Sequence, residues 1–273
     1  MERRDRPYLI ALMLPALTLF AAFFLLPMAR LVVVGAGGTD GLAAYAAIVT
    51  EPRYFRSLVS TVVLAVGVTL ATLVVSAIAG VFLQRNRFPG RSLLVAMLTL
   101  PLAFPGVVVG FMVIMLAGRQ GVIADFTQLL FGQKLIFAYS IAGLFTGYLY
   151  FSIPRVILTI MAAAEKLDRR LEEAARSLGA SPWRVVRDVL LPGLRPAFLA
   201  SGALCFATAM GAFGTAFTLA TDIEVLPMTI YTEFTLRANF VTAAALSIVL
   251  GVITWLGLAL ARTAAGSSVA AAA

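Results

Sequence analysis

The chain has 273 residues, of which 61% are apolar and 12% charged, with a net charge of +8, one cysteine and no histidine. Soluble domains carry about 25% charged residues, so this composition excludes a soluble globular class and indicates a multispanning membrane protein. The lone Cys205 excludes a disulfide framework or paired-cysteine metal site, and the missing histidines remove the commonest general base and zinc ligand, which argues against a membrane-embedded hydrolase.

Taken in order, MERRDRP is a short basic arm, and residues 8–34 form a first apolar span. That span is longer than the apolar core of a secretory signal, so it is expected to stay uncleaved. Residues 35–53 form a loop containing Gly37, Gly38, Asp40, Gly41 and Pro52. Span two covers 57–83 and ends in the basic QRNRFPGR; span three covers 93–116 and carries Pro101 and Pro105. Each is long enough for a hydrocarbon core, which takes about 20 residues. In residues 118–134, Val122, Ile123, Phe126, Leu129 and Leu130 share one helical face, as in a helix lying at the membrane surface. Spans four, five and six are expected at 135–160, 196–220 and 239–260, followed by a low-complexity tail at 264–273. The expected fold is all-α, with six transmembrane helices in a single domain from 1 to 273.

Pro101, Pro105 and Pro154 each remove a backbone donor and predict local kinks. Gly106 with Gly110, and Gly143 with Gly147, have the G-x-x-x-G spacing of tight helix contacts.

One polar stretch, residues 165–192, interrupts the apolar chain. Its first half, 165–178, predicts a helix with Leu167, Leu171, Ala174, Ala175 and Leu178 recurring at three- and four-residue steps. Gly179 closes that helix. Ser181 as N-cap and Pro182 in the first turn start a second, ending at Pro192.

Glu173-Ala174-Ala175, then Gly179, then Val189, Leu191 and Pro192 resemble the EAA loop of permease subunits of type I ATP-binding-cassette importers, with Val189 in place of the usual isoleucine. The resemblance covers roughly residues 55–262. It implies the six-span permease fold of those importers, with 165–192 as a cytoplasmic coupling helix-turn-helix seated on an ATPase subunit. It also implies a second permease subunit, the same or a sister chain, two ATPases carrying ATP and Mg, an extracytoplasmic solute-binding protein, and a bacterial inner-membrane location. No cofactor is expected on this chain itself, nor a nucleic-acid partner. Glu173 is the expected ATPase contact; Ala174 and Ala175 allow close approach, Gly179 sets the turn, and Ser181, Pro182, Arg184 and Pro192 complete the coupling set. For Arg176, Arg184 and Arg187, ion pairing with the ATPase and a topology signal are both open. The run MGAFGTAFTLATDIEVLPMTIYTEF (210–234) resembles the spermidine/putrescine branch, which is similar to the ferric iron, thiamine, phosphonate and sulfate permeases.

Counting Lys and Arg on alternate sides of the spans gives 14 on the side of the N-terminus, residues 84–91, 165–195 and Arg262, against five at Arg53, Arg56, Arg119, Lys134 and Arg237. The positive-inside rule therefore predicts both termini and the polar loop in the cytoplasm. The central spans carry no ionisable residue for ion coupling, with Arg30 and Arg155 expected near span ends, and the chain has no G-x-x-x-x-G-K-[ST] loop. An ATP-driven partner is favoured over a secondary transporter. In span five, Ser201, Thr208, Thr215 and Asp222 recur every seven residues with Gly211 and Thr218 between them. Thr208, Gly211, Thr215 and Thr218 are the candidate solute pathway; helix packing fits the same stripe. Asp222, Glu224 and Glu233 are outer acids, either in a solvated loop or facing a cation or a binding protein.

Overall fold

The computed structural model describes residues 6–37, 42–219 and 224–265, and among them every regular element is helical. Six helices are long and apolar enough to cross a membrane: Leu12–Gly35, Pro52–Arg85, Gly106–Phe131, Ile141–Lys166, Pro182–Met210 and Phe240–Ala264.

In chain order, α1 (Arg6–Phe20) and α2 (Leu26–Gly35) are joined by a π-helical turn at Ala21–Leu25. A short α3 (Ala43–Thr50) precedes α4 (Pro52–Arg85), which at 34 residues is the longest helix. The third expected span is broken. α5 (Arg91–Thr99) tightens into a 3₁₀ turn at Leu100–Ala103, Phe104 and Pro105 are extended, and α6 (Gly106–Ala117) begins afresh. The residue before a proline is pushed out of the helical region, so Phe104 ends what α5 started. α7 (Val122–Phe131) follows; Val122, Phe126, Leu129 and Leu130 are exposed on it, whereas Ile123 is half-buried.

α8 (Ile141–Lys166) extends six residues past the expected end of span four, because Met161–Lys166 are good helix formers. α9 (Arg169–Ser177) and α10 (Pro182–Val185) form the polar loop. A π turn at Val186–Leu190 joins α10 directly to α11 (Leu191–Met210). The helix therefore does not end at Pro192 as expected: the amide of Leu191 reaches back to the carbonyl of Val186, and this widened turn absorbs the proline that follows. Span five is also not one helix, since α11 stops at Met210 and α12 (Gly214–Leu219) starts after a three-residue break. α13 (Leu226–Tyr231), a π turn at Thr232–Leu236 and α14 (Phe240–Ala265) complete the chain.

The chain divides into two compact units. The smaller takes the chain up to Ser57 together with Thr229–Val252. Within it Glu233, only 1% exposed, accepts from Arg53 Nη1 at 3.3 Å and Arg237 Nη1 at 3.0 Å, and the Ser57 and Thr229 hydroxyls pair at 2.7 Å. Glu233 is thus not part of a solvated loop. Glu224 is exposed, and Asp222 lies outside the described residues. The larger unit holds Leu58–Met228 and the chain from Ile253 onward, and its core is built from Val68, Val109, Leu144, Ile160, Leu194 and Met210.

Candidate functional site: a coupling loop and a cavity at two helix breaks

Both candidate sites lie in the larger unit. The polar loop starts where α8 ends. Asp168 accepts the amide of Arg170 at 2.9 Å and caps α9, so the expected helix from 165 to 178 is interrupted at Leu167–Asp168. At the far end, Gly179 takes φ +81°, its amide donates to Arg176 O at 2.9 Å, and Ala180 N donates to Ala175 O at 3.0 Å. This paired closure is a Schellman motif, and its left-handed residue favours glycine. Ser181 Oγ then accepts the amide of Arg184 at 3.4 Å, with Pro182 in the first turn of α10.

The two neighbouring glutamates do different jobs. Glu172 turns inward and pairs with Arg85 at 2.6 Å, with the two side chains only 12% and 14% exposed. Glu173 faces solvent, as do Ala174, Arg184 and Pro192, while Ala175 is half-buried. Leu178, at 89% exposure, and Trp183 add a bare apolar edge to the same loop. Arginines fasten the loop to the end of α4. Arg169 Nη2 donates to the carbonyls of Gln84 and Arg85 at 3.1 and 3.2 Å, and Arg85 Nη2 to Leu167 O at 3.2 Å; Arg91, the first residue of α5, closes the same end of α4 through Nε to Leu83 O at 2.6 Å. The last carbonyls of a helix lack intrahelical partners, and cationic donors there satisfy both the hydrogen bonds and the dipole. Of these fasteners, only the basic character of 84–91 was visible as a motif.

The second site is a cavity of about 310 Å³ where the two interrupted spans meet. Pro101, Phe104 and Gly106 line it from the first break, and Ala212 and Thr215 from the second, with Thr208 at the end of α11 and Arg155 on α8. The breaks are held by side chains from elsewhere. Tyr148 donates its hydroxyl to Ala212 O. Thr215 donates to Gly106 O at 2.9 Å, and Thr218 donates to Val107 O at 3.2 Å and Gly214 O at 3.0 Å. Thr215 is 1% exposed, and a Cβ on Gly110 or Gly147 would lie 2.6 Å from Thr218 Cβ or 2.8 Å from Thr215 Cγ2. These two threonines therefore join the helices where the glycines let them approach.

Thr208 faces the cavity, with its hydroxyl 2.9 Å from each of the carbonyls of Leu204 and Cys205, and Gly211 sits in the break. The seven-residue stripe does not lie on one helix face, because the chain leaves the helix at 211–213. Arg155 is not near the end of its helix, since α8 continues eleven residues beyond it. The helix-forming run that follows residue 160 is the signal that would have placed it. Among the described residues no three His, Cys, Asp or Glu side chains gather as metal ligands.

Residues 72–266 match the family described as binding-protein-dependent transport system inner membrane component. The chain belongs to this family. One similar permease is the molybdenum transport system permease ModB of Escherichia coli K12, 34% identical over 193 residues that cover 68% of this chain and 81% of ModB. A Salmonella typhi permease named for 2-aminoethylphosphonate transport, PhnU, is 29% identical over 93% of this chain and 92% of its own length. The chloroplastic sulfate permease 2 of Chlamydomonas reinhardtii is 32% identical over 72% of this chain, and the match spans 54% of that longer protein. Among solved structures, a chain of a bacterial alginate ABC transporter, crystallised with a periplasmic protein bound to an alginate pentasaccharide, superposes with a TM-score of 0.83 at 17% identity. It covers 98% of this chain and 96% of its own. The permease fold is therefore that of an ABC importer.

Proposed function

We propose that this chain is the membrane subunit of a binding-protein-dependent ABC importer and that its solute is an anion. In this reading the chain pairs with a second permease, the same or a sister chain. Two ATPases, which carry the ATP chemistry, dock on residues 165–192, and a solute-binding protein delivers cargo on the opposite face. Both termini and the loop are cytoplasmic, in keeping with the 14-to-five distribution of Lys and Arg.

The observation that carries the coupling role is the form of the loop: two capped helices, fastened by Arg85–Glu172 to the membrane helices, present Glu173, Leu178 and Trp183 outward. A contact of this kind transmits force only if it is rigid on its own side. Glu173, Ala174, Ala175, Gly179, Ser181, Pro182, Arg184 and Pro192 form the coupling set. Thr208 and Gly211 border the solute route, with Thr215 and Thr218 fixing its wall.

An anion is favoured over a polyamine on two grounds. The relatives are named for molybdenum, phosphonate and sulfate transport, and Glu233 is closed off by two arginines and so does not offer a free negative charge to a cation. The test is ATP hydrolysis by the complex reconstituted in lipid with its ATPase and binding protein, adding molybdate, sulfate, 2-aminoethylphosphonate and spermidine in turn. Stimulation by one of the anions is expected. Stimulation by spermidine alone overturns the anion assignment, and a folded permease that binds no ATPase overturns the importer reading.

A further inference from the structure

The cavity at the two breaks holds a charge that coupling does not use. Arg155 lies fourteen residues after Ile141 and eleven before Lys166 in α8. At 1.5 Å per residue this is about 21 Å and about 16 Å from the two helix ends, so the side chain sits on the body of the helix and not at either end. It is half-buried, and among the described residues it pairs with no carboxylate. Charged side chains at membrane depth are costly, and they persist where they pair, face a water-filled path or hold a ligand.

The surroundings favour a ligand of opposite sign. The cavity of about 310 Å³ has Arg155 as its only charged lining residue, with no acid to neutralise it. Phe104 and Phe151 lower the local polarity, and Thr208 supplies a hydroxyl. Both neighbouring spans leave regular helix here, at Phe104–Pro105 and at 211–213, and irregular backbone at membrane depth is tolerated where it is buried in protein or lines a cavity. The wall includes the first residues of α6, a helix of 12 residues whose N-terminal dipole has the same sign as the arginine. A planar guanidinium matches tetrahedral and carboxylate oxygens in pairs, and its attraction strengthens in an apolar setting.

We propose that Arg155 makes this cavity a membrane-embedded binding site for a small oxyanion, of the phosphonate, sulfate or molybdate type, so that the permease selects its solute in addition to conducting it. The proposal rests on the anion-importer reading and adds a site within this chain. A lipid phosphate shares the same chemistry, so the test must separate a dissolved solute from a headgroup.

The full-length chain, with Cys205→Ala removing the buried natural thiol and Leu102→Cys placing a reporter on the cavity wall, is assembled with its ATPase in phosphatidylcholine nanodiscs. The rate of modification by a small neutral thiol reagent is measured with molybdate, sulfate, 2-aminoethylphosphonate or spermidine. At least one oxyanion is expected to slow labelling about tenfold, and spermidine to leave it unchanged. Arg155→Gln should remove that protection and Arg155→Lys should keep part of it. An unchanged thermal unfolding midpoint and a single elution peak for each purified complex verify that the variants are folded. No protection by any oxyanion, or protection that survives Arg155→Gln, overturns the site. So does protection that appears without added solute once anionic phosphatidylglycerol replaces phosphatidylcholine, since the occupant is then a headgroup. The assay needs no binding protein and no turnover, so its failure in a complex whose ATPase still responds to solute removes the site and leaves the importer reading standing.

Discussion

The polar loop and the pair of helix breaks both interrupt helices, but they are held in opposite ways. In the loop each start and stop is made within a few residues: Asp168 caps through Arg170, Ser181 through Arg184, and Gly179 closes α9 with φ +81°. In the breaks the satisfying groups arrive from distant spans. Tyr148 reaches Ala212 O across 64 positions of sequence, Thr215 reaches Gly106 O across 109, and Thr218 reaches Val107 O across 111. A segment in water can leave a carbonyl to solvent. Inside a bilayer the same carbonyl needs a protein donor, so an interruption there depends on tertiary structure.

That contrast sets an order of effects. Reversing the charge of Glu173 with Glu173→Arg should lower uptake by about two orders of magnitude, because a charged contact at a partly desolvated interface is worth about 2–5 kcal/mol and repulsion adds to its loss. Solute uptake at equal membrane abundance checks this, and normal uptake would remove Glu173 from the contact. Its neighbour should behave differently. Glu172→Ala strands Arg85 in a nearly buried position and should cost about 3 kcal/mol of stability, read in a denaturant titration of the purified permease.

Tyr148→Phe leaves the Ala212 carbonyl without its donor and should cost about 2 kcal/mol in the same titration. Gly179→Ala forces a Cβ into the left-handed region, with open space around it, and should cost about 1 kcal/mol. If Gly179→Ala proved the more damaging of these last two, the breaks would be less dependent on remote donors than the geometry implies.

The same contrast explains how far the sequence could be read. The number of spans, the turn at Gly179 and the restart at Ser181–Pro182 were legible because each has a local cause: apolar length, a left-handed glycine, a capping hydroxyl; the bounds of span three were not, since the third long apolar segment, Gly106–Phe131, takes in the stretch expected at the membrane surface. Asp168 was missed although it is a local cap, since the surrounding helix formers mask it. The break at 211–213 contains no proline, and its marks, Gly211 and Gly214, read equally well as helix-packing glycines inside an apolar span; Tyr148 on another helix stabilises it. Glu233 read as an outer loop acid because its neighbour Arg237, four positions on, passes for a solvated surface pair, and only Arg53, 180 positions earlier, completes the enclosure. Arg155 was placed towards the end of span four because hydropathy falls after residue 160, whereas the helix itself continues to Lys166.

The join between α10 and α11 has a mechanical consequence. From Pro182 to Met210 the chain is one helical rod of 29 residues with its π turn inside it. One end stands in the polar loop and the other stops at the break beside Arg155. Such a rod is about 43 Å long, so a tilt of about 5° at the loop swings the far end by about 4 Å. That travel exceeds the length of a hydrogen bond. The loop and the cavity are thus two ends of a lever, and a small rotation imposed by a partner can uncouple the wall of the cavity from the guanidinium facing it.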